Sequence, residues 1–471
     1  MRIRSLSIAA VLSLALTACA SVHNLPLNKP SADPFAGTMT QMAAAAVERD
    51  KTRAHEDDDG TVIGVALSGG GTRAAGFAYG VLTELARTPS PMGDRKRDML
   101  DHVKIVSGVS GGSIIAAYYG LKGRAALADF REQFLAQDLM GQLNTSVNLV
   151  NLGRAVGGGA NTDNALRDWL NKQLFHNAKY GALIGRRPIV LINATDIYSR
   201  TPFLFAPPTF AAMCSDIADY PVAGAVAASA AVPGAFAPVV IESFPSQCKT
   251  PLPERVMAAA SNPGASPILH SFAKALERAR TGQVKYVKLL DGGLVDNYGL
   301  SGITIARAAA GTPYAPLQPE EAVKLRRMLF VVVDSGRGPQ GDWAQTLEGP
   351  TGKDLVGAVI DTIIDANTRS SYAAFDATMS NWRQELIKWR CGLKRAEVDR
   401  LRGRGGAWNC RDLKFTITRV SFDQLETARA KKLNAVPTSF TLPANTVDEV
   451  IRAGSDALKA NTAFQAFLKD R

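Results

Sequence analysis

The chain has 471 residues, 46% hydrophobic and 21% charged, which excludes a disordered polypeptide and supplies enough apolar material for a large core. The net charge is +11, but basic clusters such as Arg400–Leu401–Arg402–Gly403–Arg404 lack the interleaved aromatics of a nucleic-acid surface, so no nucleic-acid partner is expected. The length admits one large α/β domain with insertions or two smaller ones.

Residues 1–18 read as a targeting segment: Arg2 and Arg4 give a positive start, and Leu6–Leu16 is an apolar core too short to span a bilayer. Leu16–Thr17–Ala18–Cys19 resembles a lipobox, the processing signal of bacterial lipoproteins. The resemblance implies cleavage before Cys19, lipidation of that cysteine and, with Ala20 following, an anchor in the bacterial outer membrane. Residues 19–60, with Pro26, Pro30 and Pro34 and an Ala43–Ala46 run, predict a tether with one short helix. The acidic run His55–Asp59 reads as a solvated charge cluster, since consecutive residues converge poorly on one ion. No later stretch has the length and apolarity of a transmembrane helix.

Thr61–Leu67 predicts a buried strand entering Ser68–Gly69–Gly70–Gly71–Thr72–Arg73 and then a helix to about Arg87. Gly69, Gly71 and Ala74 also fit a dinucleotide-binding fingerprint. That reading requires an acidic residue about 20 positions on, at the end of a second strand. Glu84 and Asp94 instead fall in the helix and in a polar loop. The triple glycine is better used as an oxyanion hole, because backbone amides can surround an oxygen only where no side chain intrudes. Lys104–Val106 begins a second strand. It runs into Gly108–x–Ser110–x–Gly112, the nucleophile-elbow pattern, and a helix to Tyr119. This turn presents the Ser110 hydroxyl at a helix N-terminus, where free amides and the helix dipole favour negative charge.

Residues 122–185 predict mainly helix, interrupted by Gly157–Gly159. Further strands are expected at Pro188–Ile192, Val284–Leu290, Met328–Val333 and Lys414–Val420, and Pro202–Phe210 reads as a loop. Helices are expected over Ala223–Ala231, Leu355–Trp389 and Val447–Leu468. Besides Cys19, four cysteines remain, and in an oxidising compartment they allow three pairings. Cys214–Cys248 and Cys391–Cys410 close the shortest loops and are preferred. No CxxC or CxxH spacing suggests a metal.

A serine nucleophile needs a base and oxyanion donors. Of the histidines, His23 and His55 lie in the tether, and His102 stands about 20 Å or more from Ser110 along an extended strand. His176 and His270 have no motif around them. The base is therefore expected to be a carboxylate. Asp291 is the candidate: it ends a buried strand, is followed by two glycines, and would join Gly71 and Ser110 where sites gather, at the carboxyl ends of strands.

Together Gly69–Arg73, Gly108–Gly112, Ala228–Pro238 and Asp291–Gly293 resemble, in the same order, the motifs of the patatin-like phospholipase family, over about Val62 to Asp334. The resemblance implies a three-layer α/β/α fold with a mainly parallel central sheet. It implies a Ser110–Asp291 dyad without histidine, and an oxyanion hole from the amides of Gly69, Gly70, Gly71 and Gly111. Arg73 matches the family's basic residue, in an electrostatic or a structural role. Residues 61–471 would then form one acyl-hydrolase domain with a helical C-terminal elaboration, acting on phospholipid or another acyl ester without a cofactor or metal. Two departures stand out: Ala74 replaces a glycine, and Gly299 stands where a proline often follows the asparagine matched here by Asn297. The competing readings are a nucleotide-binding Rossmann-type protein and a catalytically silent lipid-binding lipoprotein.

Overall fold

The computed structural model describes residues 24–52, 60–91, 97–142, 159, 161, 163–339, 341, 343–403 and 408–470. The expected leader 1–18, Cys19, the His55–Asp59 run and Gly157–Gly158 lie outside the described residues. Among the described residues, no helix is long and apolar enough to cross a membrane.

The strands are β1 (Thr61–Leu67), β2 (Val103–Val109), β3 (Ile189–Asp196), β4 (Thr201–Leu204), β5 (Val239–Glu242), β6 (Tyr286–Asp291), β7 (Arg327–Val333) and β8 (Lys414–Val420). They form one sheet in the order β5-β6-β3-β2-β1-β7-β8, with β4 on β3. The β8–β7–β1–β2–β3 run is parallel. Every residue of β1 and β7 is buried, as a strand covered on both faces requires. Alternation along β1 divides the core: Ile63, Val65 and Leu67 face one apolar cluster, and Val62 and Ala66 face another.

Helices fill both faces. Those used below are α1 (Ala36–Thr52), α2 (Gly71–Arg87), α3 (Gly111–Lys122), α4 (Val222–Ser229), α5 (Ser301–Ala308), α6 (Gly352–Gly392) and α7 (Ala444–Ala460). Phe77 of α2, Ile114 of α3 and Val450 of α7 pack into the first cluster, and Phe375 and Trp382 of α6 into the second. The chain thus has the three-layer α/β/α architecture.

The order of β6 and β3 positions the site. β2 pairs with β3 only as far as Val109 opposite Asn193. β4 pairs with β3 from Asn193 to Asp196, and so holds the opposite edge. β6, antiparallel, pairs with Ala194, Thr195 and Asp196 on the edge that β2 has just left. Its last residue, Asp291, therefore comes down beside Ala194, immediately above the end of β2. Asp291 reaches the Ser110 end of the sheet on an antiparallel strand, not at the carboxyl end of a parallel one.

Other expectations change as well. Residues 24–52 are docked on the domain and not a free tether. The Asn24 amide donates to the Ala237 and Pro238 carbonyls, Asn28 exchanges two hydrogen bonds with the Glu242 backbone, and the Gly37 amide donates to Asp216. Pro202–Phe210, expected as loop, is strand as far as Leu204 and helix from Pro207. The helix expected over Val447–Leu468 breaks at Asn461, whose side chain accepts the Phe464 amide and starts a new helix, Thr462–Lys469. Disulfides join Cys214 to Cys248 and Cys391 to Cys410, the two short loops.

Candidate active site

Ser110 is the hinge between β2 and α3. Its φ of 52° and ψ of −123° fall where a non-glycine residue is strained, and surrounding contacts hold it there. Gly112 permits the turn, because a Cβ there would overlap the Leu67 carbonyl. The Ser110 amide donates to Ser229 Oγ at 2.9 Å, and that hydroxyl donates to the Asn193 carbonyl at 2.6 Å. The end of α4 thus pins the elbow to β3. The sequence block Ala228–Pro238 marked this region, but nothing in it revealed that Ser229 bridges the elbow and β3.

Asp291 is held from several sides. Its amide donates to the Ala231 carbonyl at 2.9 Å, its carbonyl accepts the Thr195 hydroxyl at 2.8 Å, and its Oδ1 accepts the Gly293 amide at 2.8 Å. The Ser110 hydroxyl stands close enough to this carboxylate to favour its charged form. Burial pushes the Asp291 pKa up to about 6, against the opposing pull of the Gly293 amide and Ser110 hydroxyl. A carboxylate near 6 is ionised at neutral pH yet basic enough to take a proton. Asp296, also buried and pushed up by burial, accepts the Ser301 and Tyr298 amides and caps the start of α5.

The N-termini of α2 and α3 meet at Ser110. Among the described residues, the Gly70, Gly71 and Gly111 amides have no hydrogen-bond partner. They sit where two helix dipoles present partial positive charge. Gly69 differs from expectation: its amide donates to the Asn297 carbonyl at 3.1 Å and is unavailable to an oxyanion. Its glycine identity is steric, since a Cβ would overlap Asn297 Oδ1 and approach Ser110 Cβ to 3.2 Å.

Arg73 is buried behind the glycine loop. It donates to the Val436 carbonyl at 2.5 Å, and its Nε has no partner among the described residues. Burial, followed by Arg337, lowers its pKa to about 10, while Asp334 and Asp361 act the other way. Nearby, the Thr72 amide donates to the Ser439 carbonyl at 2.8 Å, and Phe440 packs edge-on against Phe236. The segment from Val436 to Phe440, far from every motif, therefore clamps the glycine loop. Ser110 is only 3% exposed beneath this cover.

Other candidates fall away from the serine. His102 lies at the opposite end of β2 and bonds Ser90; His270 bonds the Ala259 carbonyl; His176 is exposed. Glu84, the acidic residue nearest to what a dinucleotide site needs, instead accepts the Ser455 hydroxyl and pairs with Lys459. Gly299 has a φ of +72°, which a proline ring cannot adopt, so the departure from the motif follows the backbone. A cavity of about 1080 Å³ between α5 and α6, lined by Arg307, Trp382 and Trp389 among others, includes no residue of the Ser110, Asp291 or glycine loops.

Comparison with solved structures finds similarity to human GIVD cytosolic phospholipase A2, at 12% identity and a TM-score of 0.39, covering 92% of this chain and 65% of that one. This chain thus spans just under two thirds of that protein's length. No curated protein matches. A family model described as patatin-like phospholipase matches residues 65–302, half of the chain, from within β1 to the start of α5. The chain belongs to the patatin-like phospholipase family.

Proposed function

We propose that this protein is a lipid acyl hydrolase of phospholipase A or lysophospholipase type, with Ser110 as nucleophile and Asp291 as base. The observation that supports it most is the buried Asp291 carboxylate, poised near 6 and close enough to the Ser110 hydroxyl to feel its pull, beside the meeting point of two helix N-termini. Ser110 Oγ attacks the ester carbonyl carbon as its proton passes to Asp291. The carbonyl π pair moves onto oxygen, which the Gly70, Gly71 and Gly111 amides hold. Collapse re-forms the carbonyl and breaks the bond to the leaving alcohol, which takes the proton from Asp291. Asp291 then removes a proton from water, whose oxygen attacks the acyl-serine. The second collapse frees the fatty acid and returns the proton to Ser110.

Release of fatty acid from phospholipid and p-nitrophenyl acyl esters tests this reading. The wild type is expected to hydrolyse them and Ser110→Ala to lose the activity by several orders of magnitude. A Ser110→Ala protein as active as wild type would refute it. We further propose that Cys19 carries a lipid that anchors the chain in the bacterial outer membrane, by the lipobox resemblance. Only four residues separate Cys19 from Asn24, so the anchor would lie within about 17 Å of Asn24, which bonds Ala237 on the Ser110 side of β5. Labelling with a fatty-acid analogue is expected in the wild type and absent from Cys19→Ser.

A further inference from the structure

Helix α6 is two different helices in one. From Tyr372 to its C-terminus it lies along the sheet, burying Phe375, Met379, Trp382 and Leu386. Tyr372 meets Tyr298, and Asn367 donates to the Leu294 carbonyl, three residues after Asp291. Its other end reaches the base of β7, where Arg390 donates to the Leu325 carbonyl. The helix therefore runs antiparallel to β7, and residues 352–366 extend about 22 Å past Leu294, beyond the catalytic edge of the sheet.

That overhang carries an unusual surface. Leu355, Val356, Val359 and Ile363 are each 44–59% exposed. At about 100° per residue they share an arc of about 100°, roughly opposite the row formed by Phe375, Met379, Trp382 and Leu386. This is the outward side, where a helix packed on a domain normally carries polar residues. Asp354, Asp361 and Asp365, also solvent-exposed, lie on the opposite side of the helix, and Asp361 acts on Arg73 in the site. In the loop leading from β7, Trp343 and Leu347 are exposed as well, Leu347 almost completely. Leu25, beside the Asn24 contact with Ala237, is a further exposed aliphatic at this end.

We propose that the outward face of the α6 overhang, Leu355, Val356, Val359 and Ile363, is the surface by which the protein seats on a lipid bilayer and brings its catalytic edge to the substrate. The proposal rests on the lipid-hydrolase reading above. The face is continuous with the edge of the sheet where a lipid ester must enter. A second copy of the chain is the weaker occupant. Four half-exposed side chains on one helix fall short of the roughly 800 Å² per partner that a stable protein interface buries. An amphipathic helix needs only such a stripe to lie in the headgroup region, and the net positive charge, +11 in full and +9 without Arg2 and Arg4 of the leader, favours anionic lipid.

The test uses the full chain with Cys19→Ser, so that no lipid anchor masks the effect. It compares that chain with the same chain carrying Leu355→Asp, Val359→Asp and Ile363→Asp. Binding to vesicles of equimolar phosphatidylcholine and phosphatidylglycerol is measured in a Ser110→Ala background, independently of catalysis. Vesicle hydrolysis, hydrolysis of soluble p-nitrophenyl butyrate and circular dichroism are measured with Ser110 in place. Vesicle binding and hydrolysis are expected to fall about tenfold or more, with soluble-ester hydrolysis and dichroism unchanged. Undiminished vesicle binding would overturn the proposal, as would a dimer that becomes monomeric in the triple variant without loss of vesicle binding. A wild type that hydrolyses no ester would refute the hydrolase reading, while the binding measurement would still decide the docking face.

Discussion

The elbow and its cover stand within hydrogen-bonding reach of one glycine loop, yet they reach the fold by opposite routes. β2, Ser110 and α3 form one continuous stretch whose glycines, apolar run and helix start are neighbours in sequence. The cover, from Val436 to Phe440, lies more than 300 residues from Ser110 and has no motif. It contributes backbone carbonyls to Thr72 and Arg73, and backbone carbonyls are the same in every residue. The contrast teaches that the chemistry of this site is local, while its enclosure depends on how the chain returns after β7.

The largest test of that contrast is to remove the return. A chain ending after residue 302 keeps the family-matched segment but loses β7, β8 and α7, stripping β1 of a paired neighbour and α2 of its cover. It is expected to show no cooperative unfolding by circular dichroism, and a folded, active fragment would break the comparison. Next comes the dyad. Asp291→Asn is expected to lower kcat about 10⁴-fold, and the double variant with Ser110→Ala to be no worse than the worse single one, because the two act as a unit. Ser229→Ala is expected to lower kcat about 10- to 100-fold with KM unchanged, since it loosens the elbow without touching the substrate.

The pH dependence sharpens the local side. Asp291 must be ionised to accept the serine proton, so kcat/KM is expected to fall about tenfold per pH unit below about 6. The smallest effect is on stability. Asp291 binds its proton more tightly when folded than at the ordinary value of 3.8, so its protonation favours folding at low pH. That contribution is lost as pH rises through about 6. Asp291→Asn is therefore expected to stabilise the protein at pH 8 by on the order of 3 kcal/mol, with the gain shrinking towards pH 4. Denaturant midpoints of both proteins across that range check the sign.

Much of the site was legible in the sequence for the same local reason. The Ser110 turn and the candidacy of Asp291 both followed from short stretches. Strand direction was not legible, because the alternation of β6 is the same whichever way it runs beside β3. β4 and β5, with four residues each, were too short to show a period. Gly69 resembled its neighbours Gly70 and Gly71, and only the approach of Asn297 distinguishes its amide from theirs. The docking of Asn24 and Asn28 was hidden because asparagines among prolines carry the signature of a loop whether or not an edge strand awaits them.

The most direct measurement is covalent labelling with a fluorophosphonate probe, followed by mass mapping of the modified residue in wild type and in Asp291→Asn. The account predicts a single adduct on Ser110 whose rate of formation falls about 10³-fold or more in the variant. An adduct on another serine, or equal labelling of Ser110 without Asp291, would contradict it.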